Sequence, residues 1–200
     1  MDPRKTGLLV VPLLGLAAWA VGCGTAEPAP SEGTPPGTDT PPGTSTPPDA
    51  GSAFANALLA THNEVRAGAQ PAPQPPLAPL TWSAEAAAKA QAWANQCQWK
   101  HNPDLGDYGE NLSAAAPPGS QTERGVVMNW ASEAKDYSYA NNTCSGVCGH
   151  YTQVVWRDTR QVGCATAICD RNSPFSGASR WQLWVCDYSP PGNYVGQRPY

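Results

Sequence analysis

The chain carries little charge: 14% of its 200 residues are Asp, Glu, Lys or Arg, with 12 basic against 16 acidic groups and a net charge of −4. Glu27, Glu32, Asp39 and Asp49 stand unopposed near the N-terminus, so the stretch from residue 53 onward is close to neutral. Such a stretch has no electrostatic footprint for nucleic acid and no basic helix face for anionic lipid, and nucleic acid is set aside as a partner. The apolar run from Gly7 to Val21 is too short to span a bilayer comfortably. There is no parallel βαβ repeat and no glycine-rich phosphate loop, which argues against nucleotide binding. Histidines number only three, and none belongs to the two-histidine helix of zinc proteases. Neither Ser113 nor Ser120 lies in a nucleophile elbow, so serine hydrolysis is not expected.

Proline and glycine are abundant, with 22 and 19 residues, and cysteine is unusually informative at seven. An odd count in an exported chain leaves one thiol over. The N-terminus resolves the parity. Arg4 and Lys5 precede the apolar run, which ends Ala20-Val21-Gly22-Cys23 and is similar to the lipobox of bacterial lipoproteins. Residues 1–22 are therefore expected to be a lipoprotein signal peptide, with Cys23 lipidated and anchoring the chain to a membrane. The other six cysteines, Cys97, Cys144, Cys148, Cys164, Cys169 and Cys186, are an even set that fits three disulfides. The expected destination is export, either to an outer membrane or cell surface through the anchor, or to the extracellular space.

From Gly24 to Ser52 the chain is Pro, Thr, Gly, Ser and Ala with a few acids, including Thr34-Pro-Pro-Gly-Thr38 and its echo at 40–44. Nothing here seeds a core, and residues 23–52 read as a disordered tether. Its 29 residues beyond Cys23, at about 3.1 Å each, reach on the order of 90 Å when extended. Residues 53–200 then form one domain. Ser52 caps a helix to about Ala67, with Phe54, Leu58, His62 and Val65 at helical spacing. A second helix follows Ser83, with Ala86, Ala90, Trp93 and Cys97 in one stripe. Ser120 and Glu123 form a capping box opening a third helix to about Tyr137, with Val126, Trp130, Glu133 and Tyr137 toward the core. Val162–Cys169 and Arg180–Cys186 read as strands, separated by a turn-rich segment. Helices around a small antiparallel sheet make this a layered α+β fold.

Five landmarks then occur in order. They are His62-Asn63-x-x-Arg66, Trp82-Ser83, Gly109-Glu110-Asn111, the stretch Gly149-His150-Tyr151-Thr152-Gln153-Val154-Val155-Trp156, and the tail from Cys186 through Tyr188 and Gly192 to Tyr200. Together they resemble the CAP superfamily, the family of plant pathogenesis-related class 1 proteins, over residues 54–200. The departures are Asp187, where Asn is usual, and the bulky Trp184. The resemblance implies an α-β-α sandwich with a three-stranded antiparallel sheet. It also implies, among fifteen possible pairings of six cysteines, the set Cys97–Cys169, Cys144–Cys148 and Cys164–Cys186.

The resemblance further implies a cavity tetrad of His101, Glu110, Glu133 and His150. Glu133 is a carboxylate on an apolar helix face, costly unless paired or ligating; Glu110 is expected in a loop between Gly109 and Asn111. No cofactor is required by this reading, although His101 and His150 are candidates to bind zinc or another divalent cation weakly, against the alternative of a purely structural His/Glu network. His62, beside Leu58 and Val65, reads as a satisfied core histidine. The expected function is a non-catalytic, monomeric binding module for a sterol, lipid or protein. The alternatives are a metal-dependent hydrolase built on the same tetrad and a precursor that releases the C-terminal peptide Pro190–Tyr200.

Overall fold

The computed structural model describes residues 46–200. The expected signal peptide, Cys23 and the expected tether as far as residue 45 lie outside the described residues. Helix α1 spans Ala53–Ala67, and Ser52 caps it by accepting the Ala55 N–H. Strand β1 is Thr81–Trp82. Helix α2 spans Ala84–Ala94 and is capped in the same way by Ser83, which accepts the Ala86 N–H. Strand β2 is Gly109–Ala115, helix α3 is Glu123–Ala131, and a 3-10 helix continues over Ser132–Asp136. Strands β3 (Tyr137–Ser138) and β4 (Thr143–Cys144) form a small hairpin, followed by the short helix α4, Gly149–Val154. Strands β5 (Gln161–Cys169) and β6 (Trp181–Ser189) complete the domain.

The main sheet has four strands in the order β1-β5-β6-β2. Three of them, β5, β6 and β2, are the antiparallel body; the fourth, β1, adds a two-residue parallel edge that the three-stranded expectation omitted. Alternation along β6 divides the interior in two. One face sends Leu183 and Val185 with Ala165, Ala167 and Leu112 against Ala90 and Ala94 of α2. The other sends Trp184, Cys186 and Tyr188 against Leu58 of α1 and Val126 and Trp130 of α3. Helices thus cover both faces, as two apolar sheet surfaces require.

Several local expectations change. Thr122, not Ser120, caps α3: its hydroxyl accepts the Gly125 N–H at 3.1 Å, while the Ser120 N–H is used in a turn back to Pro117 O. The α-helix gives way at Ala131 to the 3-10 helix, which carries the helical segment to Asp136, close to the expected end, and Tyr137 then pairs with Cys144 across the β3–β4 hairpin. Cys97 lies beyond α2 with φ +53°, so it is placed by a turn and not by the helical stripe. Glu110 is in strand β2 and not in a loop; every residue of that strand pairs with β6.

All three disulfides have the pairing that the resemblance implied. Cys164 and Cys186 are direct partners in the β5–β6 register. Cys97–Cys169 closes the longest loop, 72 residues. In the chain-entropy account that bridge is worth about 4 kcal/mol.

Candidate functional site

The four implied cavity residues assemble as two His–Glu pairs. His101 follows α2, and its Nδ1 is 2.7 Å from Oε1 of Glu110. The same oxygen accepts the Asn102 N–H at 3.0 Å. The carboxylate is 1% exposed and the imidazole 66%, so a buried acid holds an accessible ring. That hydrogen bond is the main cause of a His101 pKa above the ordinary histidine value.

Glu133, in the 3-10 helix, holds His150 differently. Its Oε1 is 2.6 Å from His150 Nδ1, and its Oε2 accepts the N–H groups of His150 and Tyr151 at 3.0 and 3.2 Å. Cys148 provides no side-chain cap for α4, so Glu133 satisfies first-turn donors of that short helix from a distant segment. This accounts for a carboxylate turned inward. The His150 ring also stacks on Trp130, with centroids 6.0 Å apart.

In both pairs Nδ1 faces a carboxylate, which fixes the tautomer with N–H at Nδ1 and leaves Nε2 as a lone-pair donor. Each ring therefore fits a single coordination position on a divalent cation. The pairs approach the edge strand β2 from opposite faces. Glu110 shares the α2 face with Leu112, whereas Asn111 points the other way and donates to His150 O at 3.1 Å. Among the described residues, no group of three or more His, Cys, Asp or Glu is arranged to hold a metal ion.

A cavity of about 400 Å³ opens beside the second pair, lined by Trp99, Leu112, Ser113, Trp130, His150 and Phe175 among others. Glu133 lines it too; His101 and Glu110 do not. The Ser113 hydroxyl hydrogen-bonds Gln121 Oε1 at 3.1 Å and is not set against a histidine.

His62 is fully buried, between Leu58 O and the Tyr188 hydroxyl, each 2.8 Å from a ring nitrogen. It belongs to the core, as expected. Burial pushes its pKa down to about 4. Two functional-looking positions carried no local signal of their role. Arg66 is a buried cation that was visible only as a motif letter, and Asp187 is a buried acid that was visible only as a departure.

The model of the cysteine-rich secretory protein family matches residues 59–188, well over half of the chain. The protein belongs to the CAP family. This CAP domain is 42% identical over 157 residues to GLIPR1-like protein 1 of Mus musculus, covering 74% of the chain and 64% of the mouse protein. It is 41% identical to pathogenesis-related leaf protein 4 of Solanum lycopersicum, covering 71% of the chain and 80% of the tomato protein. Among solved structures, the venom allergen-like protein 4 of Schistosoma mansoni superposes with a TM-score of 0.59 at 29% identity, covering 74% of this chain and 94% of that one. Membership of a secretory family and three disulfides place the CAP domain in an oxidising, extracytoplasmic environment.

Proposed function

We propose that this CAP domain is a non-catalytic binding module, displayed outside the cytoplasm by a lipid on Cys23. The cavity beside His150 takes the ligand, a sterol, lipid or protein side chain whose apolar body lies against Trp99 and Phe175. The observation that carries this reading is the Ser113 hydroxyl, the one hydroxyl that lines the cavity beside His150, which is bonded to Gln121 and not to a histidine. A hydrolase of the serine type needs that hydroxyl against a base.

His101 and His150 also offer Nε2 to a divalent cation such as zinc. Two protein ligands leave the other positions to water, so affinity falls well below that of a closed four-ligand site. Calorimetry at pH 7.5 tests this. Zinc binding is expected in the wild type and lost in His101→Ala/His150→Ala, with the fold retained. Equal binding by the double variant refutes the assignment.

A further inference from the structure

Strand β2 is an edge of the main sheet and pairs with β6 on one side only. Which of its peptide groups face outward follows from a disulfide one strand away. Cys164 and Cys186 are opposed in the β5–β6 ladder with Cα atoms 4.0 Å apart. Opposed residues of an antiparallel pair sit about 4.5 Å apart when they share no hydrogen bond and about 5.5 Å apart when they do. Cys186 therefore turns its N–H and C=O away from β5, toward Asn111 of β2. By alternation, Gly109, Asn111, Ser113 and Ala115 bond β6, while Glu110, Leu112 and Ala114 point their peptide groups outward. Two side-chain contacts agree with this phase. Thr166 O, in step with Cys164 on β5, accepts from Gln91, and Leu112 O accepts the Trp130 indole N–H at 3.1 Å, as carbonyls turned away from β6 do.

Among the described residues, the outward N–H groups of Glu110, Leu112 and Ala114 and the C=O groups of Glu110 and Ala114 have no hydrogen-bond partner. Proteins commonly blunt such an edge with lysine, proline, a bulge or a covering segment. Here Glu110 is the strand's single charged residue, and no proline interrupts Gly109–Ala115. The cavity of about 400 Å³ opens along the same edge, with Leu112, Ser113 and Ala114 in its wall beside His150, Trp99 and Phe175. Trp99 and Phe175 are exposed large apolar side chains. Trp99 lies two residues after Cys97 and Phe175 six after Cys169, so one bridge ties together the segments that carry both rings.

Outward donors and acceptors recurring about every 6.8 Å along a strand are complementary in partial charge to one kind of ligand, another extended backbone. A sterol or acyl chain fills the apolar space and leaves those peptide groups unpaired. Trp99 and Phe175 stand beside the edge, which suits a single strand better than the edge of a second folded copy. We propose that the cavity takes an extended segment of a partner protein, which adds to β2 as a fifth strand of the main sheet and lays alternate apolar side chains against Trp99 and Phe175. Main-chain hydrogen bonds then hold the segment, and the cavity selects its side chains. The inference rests on the binding-module reading and narrows its ligand to extended polypeptide.

Amide hydrogen exchange by NMR, on the full chain without metal, tests it. The probe is a blocked peptide of alternating leucine and threonine, about seven residues long. Adding it should slow exchange at the Leu112 and Ala114 amides by about tenfold or more, with little change at Asn111 and Ser113, which are already bonded to β6. Methylating the peptide nitrogens of either the leucines or the threonines removes donors from one side of the added strand only. One of these two peptides should bind about tenfold more weakly per methyl group and the other as before. Ala114→Pro removes an outward donor without breaking a bond to β6 and should abolish binding, with slow exchange at Asn111 reporting an intact sheet. Absence of peptide binding, binding without protection of Leu112 and Ala114, or equal losses from both methylated peptides overturns the proposal. Protection already present in the free protein and rising with its concentration assigns the edge to a second copy and overturns it as well. Binding of cholesterol sulfate in the cavity, with the peptide inert, leaves the binding module standing and overturns the added strand alone.

Discussion

The Tyr188 hydroxyl donates a hydrogen bond to Nε2 of His62 at 2.8 Å, joining the middle of α1 to the central strand β6. The ring is complete on its other side, where Nδ1–H donates to Leu58 O. Tyr188 in turn accepts from Asn111 Nδ2 at 3.1 Å, and the same amide group donates to His150 O. A continuous buried polar chain therefore runs from α1 through the sheet to α4 and ends beside the exposed site. Fully satisfied networks of this kind hold one arrangement and reject others.

This network makes stability depend on acid. The folded-state pKa of His62, about 4, lies below the ordinary 6.5 because burial penalises the charged ring. Its contribution is complete above pH 6.5 and is lost as pH falls from there through about 4. The shift corresponds to on the order of 3 kcal/mol as an upper bound. Urea denaturation at pH 7 and pH 4 should show wild type losing stability relative to His62→Gln on acidification. A constant difference between the two proteins speaks against a buried neutral histidine. Asp187, with its raised pKa, acts in the opposite direction, so the comparison with the variant is the informative quantity.

Arg66 is the only buried cation among the described residues, at 1% exposure, and it has no carboxylate partner there. Its guanidinium is held by carbonyls instead: Ala78 O at 3.0 and 2.8 Å, Val154 O at 2.9 Å and Trp156 O at 2.8 Å. One planar fork thus ties the loop before β1 to the end of α4. Arg66→Lys keeps the charge but cannot reach three carbonyls in that geometry. The expected cost is about 3 kcal/mol, measured as a fall in the urea midpoint. A loss below about 0.5 kcal/mol would mean the fork is not needed.

The C-terminal segment is packed into the domain. Gly192 N–H donates to Gln153 Oε1, Pro199 O accepts the Arg157 N–H, and Arg198 donates to Tyr139 O and Ala140 O. A Cβ at Gly192 would lie 2.7 Å from Trp156 Cγ, within the indole itself. Gly192→Ala is expected to cost about 1–3 kcal/mol and to expose residues 190–200 to proteolysis. Release of Pro190–Tyr200 from the wild type, as a precursor role requires, should be slow by comparison. Equal cleavage rates in both proteins would count against this packing.

Lipidation is tested at Cys23. Wild-type protein is expected in the membrane fraction, beginning at Cys23 with a diacylglyceryl adduct, and Cys23→Ala is expected in the soluble fraction. Identical partitioning of the two removes the anchor from the proposed function.

Neighbouring residues were enough to specify the first two helices. Ser52 and Ser83 each satisfy an N–H three residues on, a bond whose partners are set by chain proximity alone. Capping was less certain at α3, where Ser120 and Thr122 lie close together and only the path of the Pro117–Ser120 turn selects the second. The cysteine pairing needed the family pattern, since six thiols have no local preference among their partners.

Tertiary structure decided the rest, for a common reason. Gly109–Ala115 has few β-formers and becomes a strand because β6 supplies its hydrogen bonds. Glu133 was legible as an acid facing inward, but that it would hold the first turn of α4 depends on a segment 17 residues away. Asp187 was legible as a substitution for the usual amide. Its neighbour Glu110 lies 77 positions earlier in the chain, and only the register of two antiparallel strands brings the two carboxyls together. Hydrogen bonds within one turn can be read from residue spacing, whereas the partner of a buried charge is chosen by strand pairing across the whole domain.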